Sequence, residues 1–110
     1  MQNSELPRQY KIVINDEFYD MLDEVVSFYD GVWAESSVQN FKFEVWQKIQ
    51  NLSIFPNGYR KWRDVNYRYC LVWDYFIFFR VNEKNGEVRV YWIFHSARDL
   101  KSLLNEKEEK

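Results

Sequence analysis

An α+β fold is predicted for this chain of 110 residues, with elements in the order β-α-α-β-β-β-α. Two observations lead there. Apolar residues recur at helical spacing through the first half, in Phe18, Leu22, Val25 and Tyr29 and again in Val38, Phe41, Val45, Ile49 and Leu52. From Tyr59 onward the period falls to two, and it stays there until a short helical segment closes the chain. Helices followed by strands of this kind give an antiparallel-rich sheet with a helical hairpin packed on one face.

Each element has a local reason. Tyr10–Ile14 alternates apolar positions and is rich in β-branched residues, which favours a first strand. Asn15 or Asp16 is placed to cap the first helix, and the acids that follow suit its positive end. Gly31 is its stop signal. Ser36 opens a second helix, with Gln39 at capping-box spacing. Phe55-Pro56-Asn57-Gly58 ends that helix, because proline cannot continue it and Asn-Gly favours a turn. A ragged strand is expected at Tyr59–Val65, and an alternating strand through Tyr67–Asp74. Tyr75–Val81 is apolar on both faces and reads as a central strand. Asn82–Gly86 is a hairpin turn with Asn85-Gly86 supplying positive φ. Val88–Phe94 is the last strand, Ala97–Leu104 a short helix, and 105–110 a solvated, frayed tail.

The bulk numbers bound the class. A chain of 110 residues that is 46% hydrophobic and 20% aromatic supports one globular domain over 1–110, its core at about 9–104. Its lone cysteine, Cys70, excludes a disulfide framework and a four-cysteine zinc site, so no metal or cofactor is expected. Met1–Pro7 lacks a signal pattern, and the apolar run around Cys70–Phe79 is too short for a membrane span and contains Asp74. The expected compartment is the cytoplasm, with no membrane partner. The formal charge of −2 conceals an asymmetry: residues 1–55 carry four Lys/Arg against nine Asp/Glu, and residues 56–104 nine against five. The second half can therefore present a basic face.

Candidate chemistry sits in that half. Arg60, Lys61, Arg63 and Arg68 cluster in sequence, and such charge can hold a phosphate backbone, with Tyr67, Tyr69 and Trp73 as stacking faces. The plain alternative for Arg60, Lys61 and Arg63 is an edge strand protected by charge. His95 can transfer protons near neutrality, or simply hydrogen-bond the corner between the last strand and helix. Arg98 and Asp99 follow it and can cap that helix. Cys70, inside an apolar strand, reads as packing rather than a nucleophile.

The opening Tyr10-Lys11-Ile12-Val13-Ile14, Leu52 followed by Pro56, the hairpin strand Tyr75-Phe76-Ile77-Phe78-Phe79-Arg80-Val81 and the ending Ile93-Phe94-His95-Ser96-Ala97-Arg98-Asp99 together resemble the RelE/ParE superfamily of type II toxin–antitoxin toxins. The ending is similar to the ParE type. The resemblance covers roughly residues 9–104. It implies a compact toxin neutralised by a cognate antitoxin, with either a homodimer or a hetero-oligomer with that antitoxin compatible. Within the superfamily, ParE-like members poison DNA gyrase and RelE-like members cut mRNA on the ribosome without a metal. For the RelE-like chemistry the resemblance offers Arg68, Arg98 and His95 as catalytic candidates, with Arg60, Lys61, Arg63 and Tyr69 as target-binding residues. Two positions depart from the nuclease pattern: Phe76 replaces a basic residue after Tyr75, and Leu104 stands where a tyrosine is expected. The reading favoured is a ParE-like toxin; a RelE-like endonuclease is second, and a non-toxic binding or regulatory relative, suggested by the acidic pI of about 5.4, is third.

Overall fold

Among the described residues, four strands and three α-helices follow one another: β1 (Lys11–Ile14), α1 (Asp16–Tyr29), α2 (Glu35–Asn51), β2 (Arg68–Val72), β3 (Tyr75–Asn82), β4 (Glu87–His95) and α3 (Leu100–Glu108). They come from a computed structural model that describes residues 9–63 and 66–108. The strands form one sheet in the order β1-β4-β3-β2. β2 and β4 each pair antiparallel with β3, while β1 runs parallel to β4 along its outer edge. The α+β class, the antiparallel-rich sheet and the helical hairpin are as the sequence predicts.

β3 has two buried faces, and each supports a different core. Ile77 and Phe79 join Cys70 and Val72 of β2 and Val88, Val90 and Ile93 of β4 beneath the α1–α2 hairpin. From the hairpin come Phe18, Leu22, Phe41, Val45, Ile49 and Leu52, the stripes read from the sequence. On the opposite face Phe78 packs with Tyr67, Trp92 and Phe94, and Leu100 and Leu104 of α3 close over them. This alternation follows from the two-residue period of a strand.

A β-bulge breaks the β3–β4 register between Phe78, opposite Trp92, and Phe79, opposite Val90, so Tyr91 is the extra residue. It turns Tyr91 and Trp92 toward the same side of the sheet, while Val90 and Ile93 stay in the hairpin core.

Local boundaries differ from the sequence reading in four places. α2 starts at Glu35 with Ala34 as its N-cap, so the Ser36–Gln39 capping box does not form. The ring of Trp33 stacks on Tyr29 at 3.7 Å and 10°, and its amide donates to the Tyr29 carbonyl at 2.9 Å. That stack makes the α1–α2 turn tight and lets the helix begin one residue earlier. Asn15 does occupy the α1 N-cap position, but its side chain makes no capping bond; its Oδ1 accepts from Arg89 at 2.9 Å instead.

The strand expected at Tyr59–Val65 is the third difference. Residues 64 and 65 lie outside the described residues, and 59–63 contributes only an isolated Lys61–Arg68 bridge to the edge of β2. The amide of Trp62 donates to the Tyr67 carbonyl and that of Tyr69 to the Arg60 carbonyl. Pairing stops there because Arg63 takes a positive φ of 50° and the Trp62 ring leaves the edge to pack against Tyr69, Phe76 and Phe78. Fourth, α3 begins later than expected and continues to Glu108, so residues 105–108 are helical rather than frayed. Asp99 is its cap, accepting from the Ser102 amide at 3.3 Å and from the Ser102 hydroxyl at 2.9 Å. Lys107 in its last turn pairs with Glu17 of α1, which extends the helix past the sequence-predicted end.

Two outcomes test this packing. Phe41 is fully buried and touches Trp33, Trp73 and Tyr75. Phe41→Ala is expected to cost about 3–5 kcal/mol in chemical denaturation, as large-to-small core changes do. The hydrogen bonds from Ser102 hold the Asp99 carboxyl below its ordinary range. Its stabilising contribution is therefore present above the ordinary carboxylate pKa and lost as pH falls through the lowered one. Asp99→Ala should lower the melting temperature at neutral pH, and the gap to the parent should close in acid.

Candidate functional site

The sequence-predicted residues gather at two ends of the sheet. At one end, β4 stops at His95 and the chain turns sharply into α3. His95 Nδ1 accepts from the Ala97 amide at 3.0 Å, its carbonyl accepts from the Arg98 amide at 3.0 Å, and the Ser96 amide donates to the Asp74 carbonyl at 2.8 Å. One ring nitrogen of His95 is thus used in building the corner. The ring meets Tyr75 edge-on at 5.0 Å. Burial, followed by the hydrogen bond to the Tyr29 hydroxyl at 3.2 Å, raises the Tyr75 phenol well above its ordinary pKa. His95 and Arg98 line a cavity of about 310 Å³ with Glu24 and the apolar side chains of Val25, Phe28 and Ile93.

At the other end Arg68 opens β2. Its guanidinium donates to the Tyr59 carbonyl at 2.6 Å, tying the irregular 52–63 segment to the sheet. Arg68 sits opposite Phe79 on β3, whereas His95 sits opposite Tyr75. Four strand residues separate those positions, roughly 13 Å along the strand. Arg68 is therefore not brought beside His95 and Arg98.

The remaining candidates are also spread out. Arg60 lines a cleft of about 490 Å³ at the open edge of β2, with Lys48, Tyr59, Tyr69 and Leu71. Lys61 and Arg68 line a second cavity with Arg80. Arg63 lies over the Trp62 ring at 5.4 Å, and its charge helps hold the Asp99 carboxyl low. Tyr69 is half-buried and stacked on Phe76 at 5.0 Å. Cys70 is buried, and desolvation pushes its thiol up to about 12, so it stays a neutral packing group near pH 7.

The sheet face that carries Phe76 is aromatic rather than basic. Phe76 is enclosed by Trp62, Tyr69 and Phe78, all with ring centroids between 5.0 and 6.1 Å from its own. Leu104 is 1% exposed beneath α3. Trp92 donates its indole N–H to Glu17 at 3.0 Å, and Lys107 lies over the same ring at 5.9 Å. Arg80 is the residue that the sequence reading passed over. Its guanidinium stacks at 4.2 Å on Tyr67 and lies 5.7 Å from the Tyr91 ring. The signal was present: Arg80 interrupts the apolar run of the central strand.

Among the described residues there is no cluster of three or more His, Cys, Asp or Glu suited to a metal ion, and no helix long and apolar enough to cross a membrane. Among the described residues, the cationic side chains lie toward the ends of the sheet and an aromatic cluster around Phe76 fills the face between them.

Comparison with known proteins agrees with the fold. The chain is similar to a chain of the chromosomal ParDE toxin–antitoxin system of P. aeruginosa, with a TM-score of 0.69 and 14% identity over 80% of this chain and 97% of the other. It is also similar to a chain of the RelBE2 toxin–antitoxin complex of Mycobacterium tuberculosis, with a TM-score of 0.55 and 12% identity over 86% and 97%. No curated protein matches it significantly by sequence. The family model of the ParE toxin of the type II toxin–antitoxin system parDE matches residues 12–100, from β1 to the first residue of α3. With the sheet order, the hairpin and the His95 corner all inside that span, the chain belongs to the ParE toxin family of type II toxin–antitoxin systems.

Proposed function

We propose that this toxin acts in the ParE manner, by binding a cellular target rather than by cutting RNA, and that the target is DNA gyrase. The observation that carries the non-hydrolytic part is Phe76. A RelE-like nuclease needs a basic residue there, facing RNA, to stabilise charge on the phosphate; Phe76 instead belongs to a packed aromatic cluster. The separation of Arg68 from His95 and Arg98, and the burial of Leu104, support the same reading. Gyrase is the target that the ParE resemblance implies, and the match to the ParE toxin family supports that reading.

A cognate antitoxin completes the proposal. The solved relatives are themselves toxin–antitoxin assemblies, which supports a protein partner that silences this chain as well. Exposed Phe28 and Val32, at 73% and 74%, offer apolar contact area at the end of α1, next to a helix rich in acids.

Producing the chain alone in a bacterial host should arrest growth, and co-production of the product of the adjacent reading frame should restore it. Purified toxin should inhibit gyrase supercoiling, while primer extension on cellular mRNA shows no new 5′ ends. Unimpaired growth at full expression would remove the toxin's activity and favour a regulatory relative. New mRNA ends that vanish in Arg68→Ala and Arg98→Ala would move the chain to the RelE-like mechanism.

A second expected outcome concerns Phe76 itself. If the position is a packing site, Phe76→Leu should keep growth arrest at parent levels, and Phe76→Arg should lower the melting temperature without creating RNA cleavage. Cleavage gained by Phe76→Arg would show a nuclease centre otherwise intact.

A further inference from the structure

Among the described residues, the outer edge of β2 is covered along only part of its length. On its inner side β2 pairs with β3, in the register Arg68↔Phe79 to Val72↔Tyr75. On its outer side the Trp62 amide donates to the Tyr67 carbonyl at 2.8 Å, and the Tyr69 amide donates to the Arg60 carbonyl at 3.1 Å. Those two bonds show which residues turn their backbone outward. Peptide groups of a strand alternate between its two sides, so Leu71, two residues past Tyr69, also turns its amide and carbonyl to the outer edge. Among the described residues no backbone group bonds either of them. Leu71 lies toward the end of β2 that joins β3, away from residues 63–66, which lead into its start.

Proteins protect open strand edges with charge, bulges or a covering segment. Here the open stretch is apolar instead: Leu71 is 50% exposed, and Trp73, in the turn that follows, is 42% exposed. A cleft of about 490 Å³ borders it, lined by Tyr69, Cys70 and Leu71 of the strand, by Lys48 of α2 and by Arg60. Both cations are exposed. Lys48 is close enough to the strand for its charge to oppose the rise in the Cys70 thiol pKa that burial causes.

We propose that the open edge of β2 takes up an extended segment of a partner protein in which acidic residues alternate with apolar ones. The added strand bonds its backbone to the Leu71 amide and carbonyl, the mode by which peptides extend exposed sheet edges. Its side chains point alternately to the two faces of the sheet. Those directed into the cleft meet Lys48 and Arg60, which match carboxylates. Those between them lie beside exposed Leu71, which matches an apolar neighbour. A second copy of this chain fits less well, because pairing β2 with β2 about a two-fold axis sets Lys48 and Arg60 near the same cations of the other copy. The site uses none of Phe76, His95 and Arg98, and it stands whether or not gyrase is the target.

Titration of the purified chain with a capped heptapeptide of alternating glutamate and valine, followed by amide chemical shifts and hydrogen exchange, tests the edge. Saturable shifts are expected at Tyr69, Leu71 and Trp73, with exchange of the Leu71 amide slowed about tenfold or more as it gains a bonded partner. Lys48→Gln and Arg60→Gln should each weaken binding about threefold, the size of effect that exposed charge pairs give. Lys101→Gln, an equal charge change on α3, should leave it unaltered. Leu71→Pro removes the outward donor without touching the ladder to β3, and should abolish binding. Should that variant fail to fold, the two glutamine variants decide the matter. The same peptide with lysine in place of glutamate should not bind. Equal binding of both peptides, no saturation, or an unprotected Leu71 amide in the saturated chain would overturn the proposal. Protection of Leu71 that grows with protein concentration in the absence of peptide would overturn it too, and assign the edge to a second copy.

Discussion

β3 carries buried side chains on both of its faces and, with its neighbour β4, separates the two cores of the domain. Ile77 and Phe79 anchor the core under the helical hairpin, and Phe78 anchors the one under α3. Burying a large apolar side chain stabilises a fold by roughly 1.5–3 kcal/mol, so a strand that does this on both sides is hard to displace. Everything else is placed relative to it. β2 and β4 flank it, α1 and α2 cover one side, and Trp62 and α3 cover the other.

That constraint also divides the polar chemistry. A strand with two apolar faces has room for charged groups only near its ends, and that is where they are found. His95 and Arg98 mark one end; Lys61, Arg68 and Arg80 mark the other. The middle of the sheet face beneath α3 is aromatic, filled by Phe76, Phe78, Tyr69 and Trp92.

Aromatic contacts take over work that polar caps do elsewhere. α1 and α2 both begin without a side-chain capping bond. Their junction is held instead by Trp33 stacked on Tyr29, with Trp73 at 5.1 Å from Trp33 and Phe41 next to both. Trp73 itself takes a positive φ of 53° in the β2–β3 turn, a conformation unfavourable for a bulky residue. Its ring contacts with Trp33 and Phe41 offset that cost. The one helix with a capping side chain, α3, has the smallest share in the hairpin core and most needs its own ends secured.

Periodicity determined the α+β class, both stripes of the helical hairpin and the two-faced central strand, because burial imposes its period directly on residue choice; the hairpin turn was read from Asn85-Gly86, of which Gly86, and not Asn85, takes the positive φ. The ParE-type ending was legible as a resemblance, in the run Ile93-Phe94-His95-Ser96-Ala97-Arg98-Asp99. Tertiary structure decided the rest. The parallel seat of β1 beside β4, the bulge that turns Tyr91 and Trp92 to one side, the single bridge made by residues 59–63 and the extension of α3 to Glu108 all depend on contacts between residues distant in sequence. So does the grouping of charges. Arg60, Lys61, Arg63 and Arg68 look like one cluster on paper, yet they point to three different surroundings, and Lys61 and Arg68 find their companion in Arg80, on a different strand. A linear pattern records which side chains are buried; only the folded sheet decides which exposed ones meet.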